Sequence, residues 1–236
     1  MKNINLIAVT LLSTTLFACN SSDSEEEFEL NSPRVIDFSS EDHGFTSIFS
    51  DYPQGEEEFY QLTAAHETLP ADFAENKGWK LSGNNHSDDL IMAIKGQVAN
   101  LESETLYKVS IEAEMLTNVP SNCVGIGGAP GESVYVKLAA STNEPANSLE
   151  NDYHRISTDI GSQSNSGTEG LMVGNIANGI ECGEEEAYKM KTLATETTID
   201  VTSDSDGTIW VMAATDSGFE GPTTVYFTKL TVTITE

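Results

Sequence analysis

Residues 107 to 115 read YKVSIEAEM, with Val109, Ile111, Ala113 and Met115 alternating against Lys108, Ser110, Glu112 and Glu114. A period of two puts these sets on opposite faces of an extended chain. It predicts a half-buried antiparallel strand. SVYVKLAAS (133–141) places Val134, Val136 and Leu138 on one face, and TTVYFTKLTVTITE (223–236) turns Leu230, Val232 and Ile234 inward. GTIWVMAAT (207–215) is nearly apolar throughout, which predicts a central strand covered on both sides. DLIMAIKGQV (89–98) and RVIDFSS (34–40) complete the set. From residue 35 to 236 there is no clear linker, internal repeat or long amphipathic helix. Strands joined by polar, glycine-containing turns predict an all-β, antiparallel sandwich in one domain.

The first residues break this pattern. Lys2 precedes an apolar run from Ile4 to Phe17. That run falls short of the roughly 20 residues that span a bilayer and has the size of a signal-peptide core. It ends in Leu16-Phe17-Ala18-Cys19, which resembles the lipobox of bacterial lipoproteins, Phe17 being its one departure. The resemblance implies removal of residues 1–18 and a lipid on Cys19, so that the membrane becomes a partner through the anchor. Asn20 is not the Asp associated with inner-membrane retention, which implies the outer membrane, on its periplasmic or cell-surface side. The alternative is a plain secretory signal abutting a cysteine. Residues 19–34 follow as a tether. The part NSSDSEEEFEL has five acids and no base, a composition that stays extended.

Charge and cysteine count narrow the partners. The net charge is −27, from 38 acids and 11 bases. Such a chain does not hold a phosphate backbone, which is bound by Lys and Arg displacing counterions; nucleic acid is set aside. With Cys19 lipidated, Cys123 and Cys182 remain in an oxidising compartment and are expected to pair. Closing so long a loop is worth roughly 4 kcal/mol at most.

Two segments carry a further resemblance. VANLESETLYKVSIEAEM, and GTIWVMAAT followed by TTVYFTKLTVTI, resemble strands of jelly-roll sandwiches such as galactose-binding-like and carbohydrate-binding modules. VIDFSSEDHGF resembles their first strand and loop. The resemblance implies a jelly-roll-like sandwich. Thr228 stands where many such modules carry an Asp near a structural calcium.

Three polar loops are candidates for a site. In NNHSDD, Asn84, Asn85, His86, Asp88 and Asp89 precede the strand beginning near Leu90. Asp88 and Asp89 can share an ion only from a loop, and calcium, with about six to eight oxygen ligands, is the candidate metal there. Zinc lacks spaced histidines, and an Asx-rich turn bonded to its own backbone is the plain alternative. ATDSGFEG (214–221) offers Asp216 and Glu220 in a turn between the last two strands, with Gly218 and Gly221 expected at positive φ. CVGIGGAPGESVY (123–135) lacks the spacing and the helix of a phosphate loop, and reads as a glycine loop pinned by the disulfide and open to close approach. Phe45, Phe49, Tyr52, Phe59 and Tyr60 form either a sugar platform or a cover over the sandwich edge, while Trp79 and Trp210 are expected in the core. The expected function is a non-catalytic, outer-membrane-anchored binding lipoprotein for a carbohydrate or other polar ligand. The alternatives are a polysaccharide or peptide hydrolase using His86, Asp88, Asp89 and Asp216, and a structural envelope protein that binds other proteins.

Overall fold

The computed structural model describes residues 30–236. Cys19 and the signal segment lie outside the described residues. Fourteen strands follow: β1 (Arg34–Asp37), β2 (Thr46–Ser50), β3 (Thr63–Thr68), β4 (Lys77–Asn84), β5 (Leu90–Val98), β6 (Leu106–Thr117) and β7 (Val134–Ser141), then β8 (Asn147–Glu150), β9 (Tyr153–Ile156), β10 (Gly170–Asn175), β11 (Lys189–Ala194), β12 (Ile199–Thr202), β13 (Ile209–Ser217) and β14 (Pro222–Thr235). One sheet runs β11-β6-β14-β4-β3, with β1 on β14 and β12 on β6. The other runs β10-β7-β13-β5-β2, and β8-β9 is a separate hairpin. Every strand pair is antiparallel. The two sheets form the expected sandwich.

Alternation fixes which side chains meet between the sheets. Val109, Ile111, Ala113 and Met115 of β6 share the core with Val134, Val136 and Leu138 of β7, and with Ile209, Val211 and Ala213 of β13. β13 is central and covered on both faces. Its other side chains, Met212 and Ala214, pack with Ile91, Ala93 and Ala139 under Ile160 of the 157–169 loop. Small residues on that outer face leave room for the loop. Trp210 departs from expectation: it lies on this outer side, where the Lys95 ammonium sits 5.5 Å from its ring centroid. Trp79 is in the core.

β14 solves a register problem. Val225 and Phe227 face inward before residue 228, and Leu230, Val232 and Ile234 face inward after it. Odd positions become even ones, which a period of two forbids unless one residue is added. The pairing with β6 shifts between Phe227 and Lys229, and this bulge at Thr228 restores the inward face. The Thr228 hydroxyl donates to the Glu114 carbonyl at 3.1 Å.

Five connections cross between the sheets at one end: residues 51–62, 85–89, 118–133, 176–188 and 218–221. The candidate loops are three of these five.

Candidate functional site

The NNHSDD segment is a tight crossover. Asn84 closes β4, so only residues 85–89 form the loop. Asn85 is buried, and its amide nitrogen donates to the carbonyls of Ser217 at 2.7 Å and Phe219 at 3.0 Å. Its amide oxygen accepts the Ser87 N–H at 3.0 Å, an Asx turn of the kind such residues favour. His86 is exposed and stacks on Phe59, ring centroids 4.1 Å apart, with Tyr60 edge-on at 5.3 Å. Phe45, Tyr52 and Tyr60 are buried and cover the sandwich edge, whereas Phe59 is exposed. Asp88 adopts φ 63°, which puts the end of the loop before Leu90.

The three sequence candidates meet in space. The Glu220 N–H donates to the Ile126 carbonyl at 2.9 Å, and the Gly218 N–H to that of Ser133 at 2.8 Å. At Gly127 (φ 70°) a Cβ would fall 2.4 Å from the Gly218 oxygen and 3.2 Å from Asp88 Oδ1. Only glycine fits there, and the close approach expected of this loop is to another backbone. Gly218 and Gly221 are not among the residues at positive φ, contrary to expectation. What fixes Gly221 is space, since a Cβ there would lie 2.4 Å from the Phe219 ring.

Asp216 and Asp89 belong to a different surface, the outer face of the second sheet. Asp216 projects under the 157–169 loop, wholly buried. Its Oδ2 accepts the Gln163 N–H at 2.6 Å and lies 3.7 Å from Lys137 Nζ, also wholly buried. Burial pushes the Asp216 carboxyl up to about 6, against the pull of Lys137. Burial first, then the charges of Asp51 and Asp216, pushes Asp89 up to about 7. Asp51 pairs with Arg155, yet burial still holds its carboxyl above the usual range. A shallow cleft of about 340 Å³ runs beside this cluster, lined by Asp51, Arg155 and Asp159. The backbone carbonyl of Asp88 accepts the Gln163 amide at 2.9 Å, linking the two surfaces. Among the described residues no three His, Cys, Asp or Glu side chains group so as to hold a metal ion.

A groove that the sequence did not announce lies on the outer face of the first sheet. Cys123 and Cys182 are disulfide-bonded as expected. Beside the bridge, the Ser121 N–H bonds the Ile180 carbonyl at 2.7 Å and the Cys182 N–H bonds that of Ser121 at 3.0 Å. This brings the acidic run 184–188 over β4 and β14. The result is a groove of about 730 Å³ that includes Lys80, Ser82, Thr224, Tyr226, Tyr188 and Asn118. Tyr188 meets Tyr226 edge-on at 6.0 Å. Leu69 and Leu116 pack with Tyr226, Leu116 directly opposite it on β6, and its hydroxyl is pushed up to about 12 by burial, then by Tyr188 and Glu67.

No protein-family model matches the chain, and no curated protein matches it. Solved structures resemble it distantly. The TmCBM61 carbohydrate-binding module, in complex with β-1,4-galactotriose, has TM-score 0.33 and 7% identity over 80% of this chain and 87% of its own. The K1 cleaved adhesin domain of Lys-gingipain from Porphyromonas gingivalis W83 has TM-score 0.39 and 10% identity over 85% and 97%. A carbohydrate-binding module specific for non-crystalline cellulose, CBM28, has TM-score 0.28 and 10% identity over 71% and 78%. At these TM-scores and identities the likeness carries neither the fold nor a function, and the fold rests on the strand pairing of the chain itself.

Proposed function

We propose that the domain binds a neutral carbohydrate in the groove on its first sheet, without catalysis, and that lipid on Cys19 holds it at the outer membrane. The groove is the observation that carries this reading. A pyranose offers an apolar C–H face and a rim of hydroxyls. Tyr188 and Tyr226 supply apolar surface, while Lys80, Ser82, Asn118 and Thr224 supply donors and acceptors around it. The net charge of −27 repels uronate- or sulfate-bearing polymers and leaves neutral glycans as the fitting class.

The test is affinity electrophoresis through gels containing neutral glucans, galactans, mannans or xylans. At least one polymer is expected to retard the protein. Tyr188→Ala, with its melting temperature kept, is expected to weaken that binding about tenfold, a change of about 1.4 kcal/mol. No retardation by any of the polymers overturns the reading, and unchanged retardation of the variant removes the groove as the site.

A further inference from the structure

The buried pair of Lys137 and Asp216 takes no part in the groove, and its geometry is that of reactants. The two residues lie on adjacent strands, β7 and β13, where Lys137 is opposite Ala214 and Tyr135 opposite Asp216. Both side chains are withdrawn from water. Lys137 Nζ donates to the carbonyls of Ile160 at 3.0 Å and Asn165 at 2.6 Å. Those two bonds use the two hydrogens of a neutral amine and leave its third position for Asp216 Oδ2, 3.7 Å away. Across the gap, the Gln163 N–H draws on Oδ2 and polarises the carboxyl carbon. Asp216 Oδ1 is buried and has no hydrogen-bond partner among the described residues. An unpaired buried carboxylate oxygen is costly. As the oxygen that departs, it has no hydrogen bond to break and takes both of its protons from the pair itself.

We propose that Lys137 and Asp216 condense into a side-chain amide that cross-links β7 to β13. The reaction balances without a co-reactant. A proton passes from ammonium to carboxylate within the pair, giving a neutral amine and a neutral acid. The amine lone pair attacks the carboxyl carbon and forms the C–N bond. The C–O bond to Oδ1 breaks, and that oxygen leaves as water with the acid proton and one amine proton. The remaining N–H keeps one backbone carbonyl as its acceptor. Burial favours the neutral pair, because it lowers the Lys137 pKa and raises that of Asp216. Asp159 and Asp89 act on Lys137 through their charges, Asp51 acts on Asp216, and Asp216 in turn acts on Asp89. The dry setting works against hydrolysis of the product.

Peptide mapping of the reduced, denatured protein by mass spectrometry decides the matter. The expected product is one branched peptide that joins the segments around Lys137 and Asp216 and is lighter than their sum by one water, with no tryptic cleavage after Lys137. Two linear peptides, cut at Lys137 and with Asp216 unmodified, overturn the proposal. Lys137→Arg in folded protein is expected to show only linear peptides; a water loss that survives it places the cross-link elsewhere and overturns the assignment. If that variant does not fold, the wild-type map alone gives the answer.

Discussion

Asp89 stands just before β5, its carboxyl pushed from an ordinary 3.8 up to about 7 by burial and then by Asp51 and Asp216. The folded chain therefore holds this proton more tightly than the unfolded chain does. The stability it contributes is complete below the unfolded value and is lost as pH rises through the folded one. Melting temperature is expected to fall between about pH 5 and about pH 8, and Asp89→Asn is expected to flatten that slope and raise the melting temperature at the alkaline end. A series of thermal melts against pH checks this, and an equally steep variant would remove Asp89 as the cause. The sequence identified Asp89 and Asp216 as candidates because acids beside an apolar strand are visible as text. It could not show that Lys137, in the strand SVYVKLAAS, points outward beneath the 157–169 loop and reaches Asp216. That meeting depends on β7 lying next to β13, a long-range pairing with no local signature.

At the scale of elements, β5, β6, β7, β13 and β14 were legible because each has at least one clean apolar face. β8 was not, since all four of its residues are exposed, nor was β11, with its alternation of half-buried and exposed positions. The bulge at Thr228 was equally hidden: each half of β14 alternates correctly, and only the change of parity between the halves betrays it. Loops that are far apart in the chain proved to be neighbours because their strands change sheet at the same end. Asn85 is the pin between two of them. Asn85→Ala would take the side-chain donor from the Ser217 carbonyl and leave the Phe219 carbonyl with the Ser217 hydroxyl alone, and is expected to cost about 1–3 kcal/mol, the penalty of one buried group left unsatisfied. Urea unfolding measures this, and a loss under about 0.5 kcal/mol, the range of ordinary surface substitutions, would show that the pin is dispensable.

For the whole molecule, charge was the most legible property and the groove the least. The run EEEAY reads as a solvated acidic stretch, yet Tyr188 at its end forms a wall of the groove because the Cys123–Cys182 bridge draws that segment across the first sheet. The anchor is tested on the intact cell. Cys19→Ser is expected to leave the precursor uncleaved and unlipidated, seen as slower gel migration and absent labelling with a fatty-acid analogue; normal maturation would refute it. β14 adds a constraint in time. Its 14 residues pair with β1, β4 and β6 together, so the first sheet has no centre until they are made. Until then β4 and β6 have no strand between them, and contacts of such long sequence range form slowly. Synthesis of the chain and closure of its first sheet are thereby separated in time by the order of the strands.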